Sequence, residues 1–361
     1  MSVLKFSGPV LPDGESRDLY VIDGRVTYEP HGGAETVMRG WIVPGLLDAH
    51  NHLGLEDGGG VPDEEVERQA VADRDAGVLL LRDCGSPVDT RWVQAREDLP
   101  RLVRCGRHVA RTKRYIRNYA HEVEPSDLAA TVAAQARSGD GWVKLVGDWI
   151  SRDTGDLAPP FSAADFAAAI AAAHAEGAKV TAHCFGSEVL TGLLDAGIDC
   201  IEHGTGLAES HLKHMAERGV GLVPTVLQTG KFPEFAEAGR EKFPGYAATM
   251  EDLFTRRRDV LMAAYEAGVE LYVGSDGGGL GRHGHLVEEI MAMTAMGLPA
   301  AYVLGAASWR GRTWLGFDNL GEGASADFAV FPRDPLIDLT VLAEPSVVVL
   351  RGAVVSGLSA T

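Results

Sequence analysis

Short apolar runs recur along most of the chain, separated by longer stretches in which alanine and charged residues follow a helical period. The runs fall at 42–48, 77–83, 102–110, 142–146, 179–183, 199–203, 221–225 and 270–276. Each is short for a helix and suits a strand covered on both faces. Between them, segments such as 163–176, 188–196, 209–218 and 252–267 are amphipathic and predict helices. The first of these carries its own boundaries. Ser162, with Asp165 three residues on, approximates a capping box, and Gly177 ends the helix.

Eight alternations of strand and helix predict an α/β fold, the (β/α)8 TIM barrel, whose typical length is about 250 residues. A doubly wound open sheet is the competing architecture. It is weakened because no glycine-rich phosphate fingerprint follows the first run. Both ends of the chain read differently. Runs at 19–22 and 25–28 flank Asp23-Gly24, a hairpin signal, and 326–331, 346–350 and 353–356 are also strand-like. The two ends are expected to pair into a small β-sandwich domain, composed of residues 1–43 and 320–361, around a barrel at 44–319.

The chain has 361 residues, 45% of them apolar and 23% charged, as in ordinary globular proteins. Its net charge of −18 argues against nucleic acid or an anionic membrane as the main partner. No apolar run reaches the length of a membrane span, and the N-terminal stretch lacks a secretory apolar core. Four scattered cysteines without CxxC spacing predict a reduced, cytoplasmic protein.

A barrel places its chemistry at the C-terminal ends of its strands. His50 and His52 stand two apart at the end of the first run, so an extended backbone projects both to one face. Lys144 lies in the fourth run, His183 ends the fifth, His203 the sixth and Asp276 the eighth. This is a set of metal-ligand types at matched positions. Alternation points Lys144 inward with Trp142 and Val146, where an unpaired ammonium is costly. Three readings stay open: a lysine reaching to water, a neutral lysine, or a lysine carbamylated by carbon dioxide. Glu202, beside His203, is expected by the same alternation to point away from the interior.

The ordered motifs VPGLLDAHNH, WVKL, VTAHCFG, IEHGTG, VPTV, VGSDGG followed by HGH, and LGEGASADFAVF resemble the amidohydrolase superfamily of metal-dependent hydrolases over essentially the whole chain. They are most similar to its prolidase-like and imidazolonepropionase-like branches. The resemblance implies a binuclear zinc centre. His50, His52 and Asp276 hold one metal, His183 and His203 the other, and carbamylated Lys144 with a hydroxide bridges them; a mononuclear site is the variant if Lys144 is unmodified. Asp276 is then the general base and acid. The implied reaction is hydrolysis of an amide bond in a small carboxylate-bearing substrate, such as a dipeptide or an N-acyl amino acid. Cyclic-amide opening and deamination are the alternatives within the enzyme class, and a catalytically silent metal-stabilised scaffold lies outside it. Such barrels often form homo-oligomers, yet no interface stretch stands out.

Substrate contacts are expected from the loops after the strands. In ARTKRYIRNYAHE, Arg114 and Tyr115 stand in a basic, aromatic cluster that reads either as a carboxylate anchor or as a solvated loop or subunit contact. Its KRY departs from the glycine-glycine-histidine of prolidase-like relatives and puts proline-dipeptide specificity in doubt. Trp149 is a pocket wall or a cover for the barrel top, with Asp148, Arg152 and Asp153 nearby. Gln228 and His283 complete the substrate-binding candidates, His283 and His285 lying in a glycine-rich stretch suited to a lid.

Overall fold

A computed structural model describes residues 3–34 and 36–357. The apolar stretch at 42–53 divides at Pro44-Gly45 into two strands, Trp41–Pro44 and Leu46–Glu56. A side chain at Gly45 would lie 2.8 Å from Leu79, so the turn passes tight against the next strand. Leu46–Glu56 pairs in parallel with Val78–Asp83, which pairs with Arg101–Arg104. A second parallel sheet runs His121–Val123, Val109–Arg111, Trp142–Val146, Lys179–Cys184, Cys200–His203 and Gly221–Val223. The fold is α/β.

The expected single eight-stranded sheet is present as two sheets, and two local breaks separate them. The third run is interrupted at 105–108, where Gly106 has φ +73°. Its first half pairs with Val78–Asp83 and its second with Trp142–Val146. The eighth run forms no regular strand, only an isolated bridge from Leu271 to Leu222, and a side chain at Gly274 would lie 2.5 Å from His50 Cβ. It still bonds to both sheets. Tyr272 N donates to Leu222 O at 2.9 Å, Ala49 N donates to Val273 O at 2.8 Å, and Asp276 N donates to His50 O at 2.8 Å.

Alternation along the strands sorts the core. Leu47, Ala49, Leu80, Trp142, Cys200 and Val223 form an inner cluster, whereas Leu46, Leu79, Val143, Leu145, Val180 and Ile201 pack outward against helices. The helix Ala163–Ala175 has the expected capping box: Ser162 Oγ accepts from Asp165 N at 3.2 Å, and Asp165 accepts from Ser162 N at 3.0 Å. Glu209–Arg218 matches its expected bounds, and 188–196 shortens to Leu190–Asp195. Pro244 opens a longer helix, Pro244–Glu266, than the expected 252–267. Among the described residues no helix is long and apolar enough to cross a membrane.

The chain ends do pair, Trp41–Pro44 lying antiparallel to Phe328–Phe331. Eight strands form one mixed sheet rather than two facing ones, since the parallel neighbours Leu4–Val10 and Trp41–Pro44 join its halves. The sheet curls around Phe6, Leu19, Val26 and Phe328, and a bridge from Arg25 to Ser325 brings its far edge back. Asp23 and Gly24 both have positive φ, 51° and 77°, as a two-residue hairpin turn requires.

Asp327 ties this sheet to the parallel ones. Its buried carboxylate accepts from Arg101 Nε at 2.6 Å and Arg312 Nη2 at 3.3 Å. Burial raises its pKa, but Arg101 and Arg312 outweigh burial and hold it below the usual range. The pair's contribution is therefore complete above pH about 4 and is lost as pH falls below that. Asp327→Ala leaves the buried Arg312 uncompensated and is expected to cost about 3–5 kcal/mol in denaturant unfolding at pH 7. A loss below about 1 kcal/mol contradicts that role.

Candidate metal centre

His50 and His52 share one face of Leu46–Glu56, and their Nε2 atoms lie 3.2 Å apart. The far side of each ring fixes its tautomer. His50 Nδ1 is 2.8 Å from Glu202 Oε2, and His52 Nδ1 is 2.8 Å from the carbonyl of Gly85. Both partners only accept, so the protons sit on Nδ1 and the two Nε2 lone pairs face each other. Such an arrangement is repulsive unless a positive charge lies between them. Asp276 Oδ1 completes the group, 3.2 Å from His50 Nε2 and 3.3 Å from His52 Nε2.

His183 and His203 stand beside this cluster with ring centres 4.7 Å apart. His203 Nδ1 is held by Thr225 Oγ1 at 2.6 Å, and the buried Nε2 of His183 has no hydrogen-bond partner among the described residues. Lys144 is 2% exposed, with Nζ 3.4 Å from His50 Nε2. Its side chain lines the cavity beside the histidines rather than the outer surface. Among the described residues it forms no ion pair with an acid.

Three run ends adopt positive φ: His203 at 66°, Thr225 at 43° and Asp276 at 52°. Non-glycine residues rarely do so, and the turns re-aim side chains that a regular strand would send elsewhere. They also correct the expectation for Glu202. Glu202 keeps the alternation of Cys200 and faces the interior, where it meets His50, Arg82 and Thr181, and it is His203 that the turn re-aims into the site.

Burial lowers the pKa of His50, but Asp276 and Glu202 outweigh burial and Lys144 and leave it raised. Burial holds His183 well below its ordinary value and takes His203 down to about 3. Burial raises Asp276, yet the surrounding histidines hold its carboxyl well below the usual range. The result is an ionised carboxylate beside the neutral rings of His183 and His203. This donor set fits divalent zinc-like ions, with all six expected ligands on one cavity of about 390 Å³.

The amidohydrolase family model matches residues 41–355. The chain belongs to the amidohydrolase family. An uncharacterized protein of Mycobacterium tuberculosis (strain ATCC 25618 / H37Rv) is 51% identical over 97% of this chain and 95% of its own. Among solved structures, a Xaa-Pro dipeptidase with bound methionine aligns with TM-score 0.84 at 21% identity, covering 98% of this chain and 99% of that one. A prolidase complexed with N-methylphosphonate-L-proline aligns at 0.83 and 22%, covering 99% and 100%. As an amidohydrolase, the protein is a hydrolase acting on carbon–nitrogen bonds.

Of the expected substrate contacts, Tyr115, Trp149 and Gln228 line the amidohydrolase cavity. Arg114 and His283 do not. Arg114 Nη2 donates to the carbonyls of Trp149 and Ala158, at 3.1 and 3.0 Å, and so pins a short hairpin. His283 Nδ1 lies 2.9 Å from Asp73 Oδ2 on the neighbouring helix. Asp148 accepts from Phe185 N and Gly186 N rather than facing substrate, and Arg152 and Asp153 are exposed. His285 occupies a helix N-cap without a side-chain bond.

Much of the cavity wall was outside the expected loops. Phe235, Phe243 and Tyr246 come from Phe232–Gly239 and the start of Pro244–Glu266, together with Phe185. The available signal was aromatic spacing, Phe232 with Phe235 and Phe243 with Tyr246. Lys242, exposed between the two helices, also reaches the cavity.

Proposed function

We propose that this amidohydrolase cleaves an amide bond in a small substrate that carries a carboxylate and an apolar or aromatic body, such as a dipeptide or an N-acyl amino acid. The reading rests on one observation: His50, His52, His183, His203, Lys144 and Asp276 converge on a cavity whose other walls are mostly aromatic and aliphatic. In it, residues 44–319 are the (β/α)8 barrel of the prolidase-like branch, and 1–43 with 320–361 are its small β-domain. The four cysteines, free and buried, support a cytoplasmic setting.

Two zinc ions, when bound, supply Lewis acidity to the scissile carbonyl and make water a nucleophile near neutral pH. His50, His52 and Asp276 would hold one, His183 and His203 the other. Carbamylated Lys144 would bridge them, its ammonium charge exchanged for an anionic one. The ionised Asp276 accepts the proton of the attacking water and returns it to the leaving nitrogen. Tyr115, Trp149 and Phe185 enclose the apolar part of the substrate and exclude water, which strengthens each charged contact inside. Gln228 offers an amide for polar groups on the same body.

With Arg114 committed to backbone carbonyls, Lys242 is the cation on the cavity outside the ligand cluster. It takes the substrate carboxylate at the mouth. Lys242→Ala is expected to raise KM about tenfold for an N-acyl amino acid, with kcat nearly unchanged and little effect on the matching amide. Equal effects on both substrates contradict the assignment. A panel of dipeptides and N-acyl amino acids with aromatic side chains tests the reaction itself. Release of a primary amine supports it, whereas ammonia release without amine transfers the site to deamination, and no release from any member favours the silent scaffold.

A further inference from the structure

Beneath the metal centre lies a buried ion pair whose arrangement is more specific than packing requires. Glu202 is 0% exposed, and its two oxygens have different tasks. Oε1 accepts from Arg82 Nη2 at 2.6 Å and from Thr181 Oγ1, with the sulfurs of Cys84 and Cys200 each 3.8 Å away. Oε2 faces His50 Nδ1 at 2.8 Å. Arg82, also fully buried, is fixed in turn. Its Nε donates to Ala49 O at 2.7 Å, and its guanidinium lies 4.7 and 4.9 Å from the rings of Trp142 and Trp314. Trp314 is stacked on Tyr272 at 3.9 Å.

We propose that Arg82 and Glu202 are positioning residues that lock His50 in its Nδ1–H tautomer and thereby keep its Nε2 lone pair available to a metal ion. The inference rests on the metal-centre reading above. Its physical content is hydrogen-bond supply. With Arg82, Thr181 and the thiols surrounding Oε1, that position requires an acceptor, and a carboxylate alone leaves a second acceptor for His50. Through its 2.6 Å contact with Oε1, Arg82 also holds the carboxylate so that Oε2 is aimed at His50 Nδ1.

Glu202→Gln separates this role from simple packing. The carbonyl of the glutamine must take the Arg82 side, so its NH2 group turns toward His50. A donor there moves the His50 proton to Nε2, directly at the metal position. Adding Arg82→Met removes the demand on that side. The amide can then turn over and present its carbonyl to His50 again, with Thr181 rotating to accept from the NH2.

The experiment uses the full chain, wild type, E202Q and R82M/E202Q, with ¹⁵N-histidine NMR on metal-free protein and competition binding of Co²⁺ against a chelator. Wild type is expected to show His50 protonated at Nδ1. E202Q is expected to show Nε2–H and about 10- to 100-fold weaker Co²⁺ binding. R82M/E202Q should regain most of the affinity and the original tautomer. Unchanged tautomer and affinity in E202Q overturn the proposal, as does a double variant no better than the single. If E202Q does not fold, R82M/E202L replaces it. Weaker Co²⁺ binding in R82M/E202L than in R82M/E202Q supports the proposal, and equal binding overturns it. Wild type that binds no Co²⁺ overturns the metal-centre reading itself.

Discussion

Asp276→Asn is expected to lower kcat/KM for amide hydrolysis by at least about a thousandfold, with the fold intact. Asparagine keeps the shape of the side chain and the backbone turn at φ 52°, for which it is well suited. What it removes is the negative charge 3.2 Å from His50 Nε2 and 3.3 Å from His52 Nε2. In the proposed mechanism two functions go together: an anionic ligand for the metal, and the group that accepts and returns the proton. Metal affinity should therefore fall along with kcat, and excess metal should restore occupancy without restoring the rate. Steady-state kinetics at saturating metal, with circular dichroism to confirm the fold, checks this. A variant within tenfold of wild type would remove Asp276 from the proton path.

The residues whose place was legible in the sequence are those that depend on strand period alone. His50 and His52 share a face because they are two apart, and Lys144 points inward between Val143 and Leu145, which pack outward. Glu202 was misplaced by counting the period from His203, because the left-handed turn at His203 breaks that period and nothing in IEHGTG announces it. The terminal hairpin was readable from Asp23-Gly24, whereas the union of eight terminal strands in one sheet depends on long-range pairing that no local signal encodes. Arg114 shows the limit of charge as evidence. A basic loop beside a site suggests an anion anchor, but two carbonyls from Trp149 and Ala158 take up its hydrogen bonds. The aromatic wall at 232–246 arises from a helical excursion after the seventh strand, whose packing over the cavity is a tertiary property.

Lys144→Ala carries the second large effect. The side chain is 2% exposed and central in Trp142–Val146, beside the ligand group. As a free ammonium it would repel both metal ions at close range. As a carbamate it supplies two oxygens sharing one negative charge in that position, at the cost of two protons, one lost by the ammonium and one released when the resulting amine takes up carbon dioxide. Removing it is expected to reduce bound zinc from two per chain to one or none, in protein purified with bicarbonate, and to lower kcat by about a thousandfold. The alanine leaves a void of the right size for a small carboxylic acid, so acetate or propionate should restore part of the metal and part of the rate. Elemental analysis and kinetics with and without added propionate test both points. One metal per chain, unaffected by the mutation, would make Lys144 a bystander and favour deamination chemistry at a mononuclear site.

The central claim is that hydrolysis of the amide depends on metal held by this cluster, and a metal titration tests it most directly. Metal-free protein is titrated with Zn²⁺ while hydrolysis of an aromatic N-acyl amino acid is followed by amine release, and bound metal is counted in parallel. Negligible activity is expected without metal, with a rise on adding Zn²⁺ and a plateau at two ions per chain. Undiminished hydrolysis by the metal-free protein, or a reconstituted protein that binds no zinc, contradicts that claim.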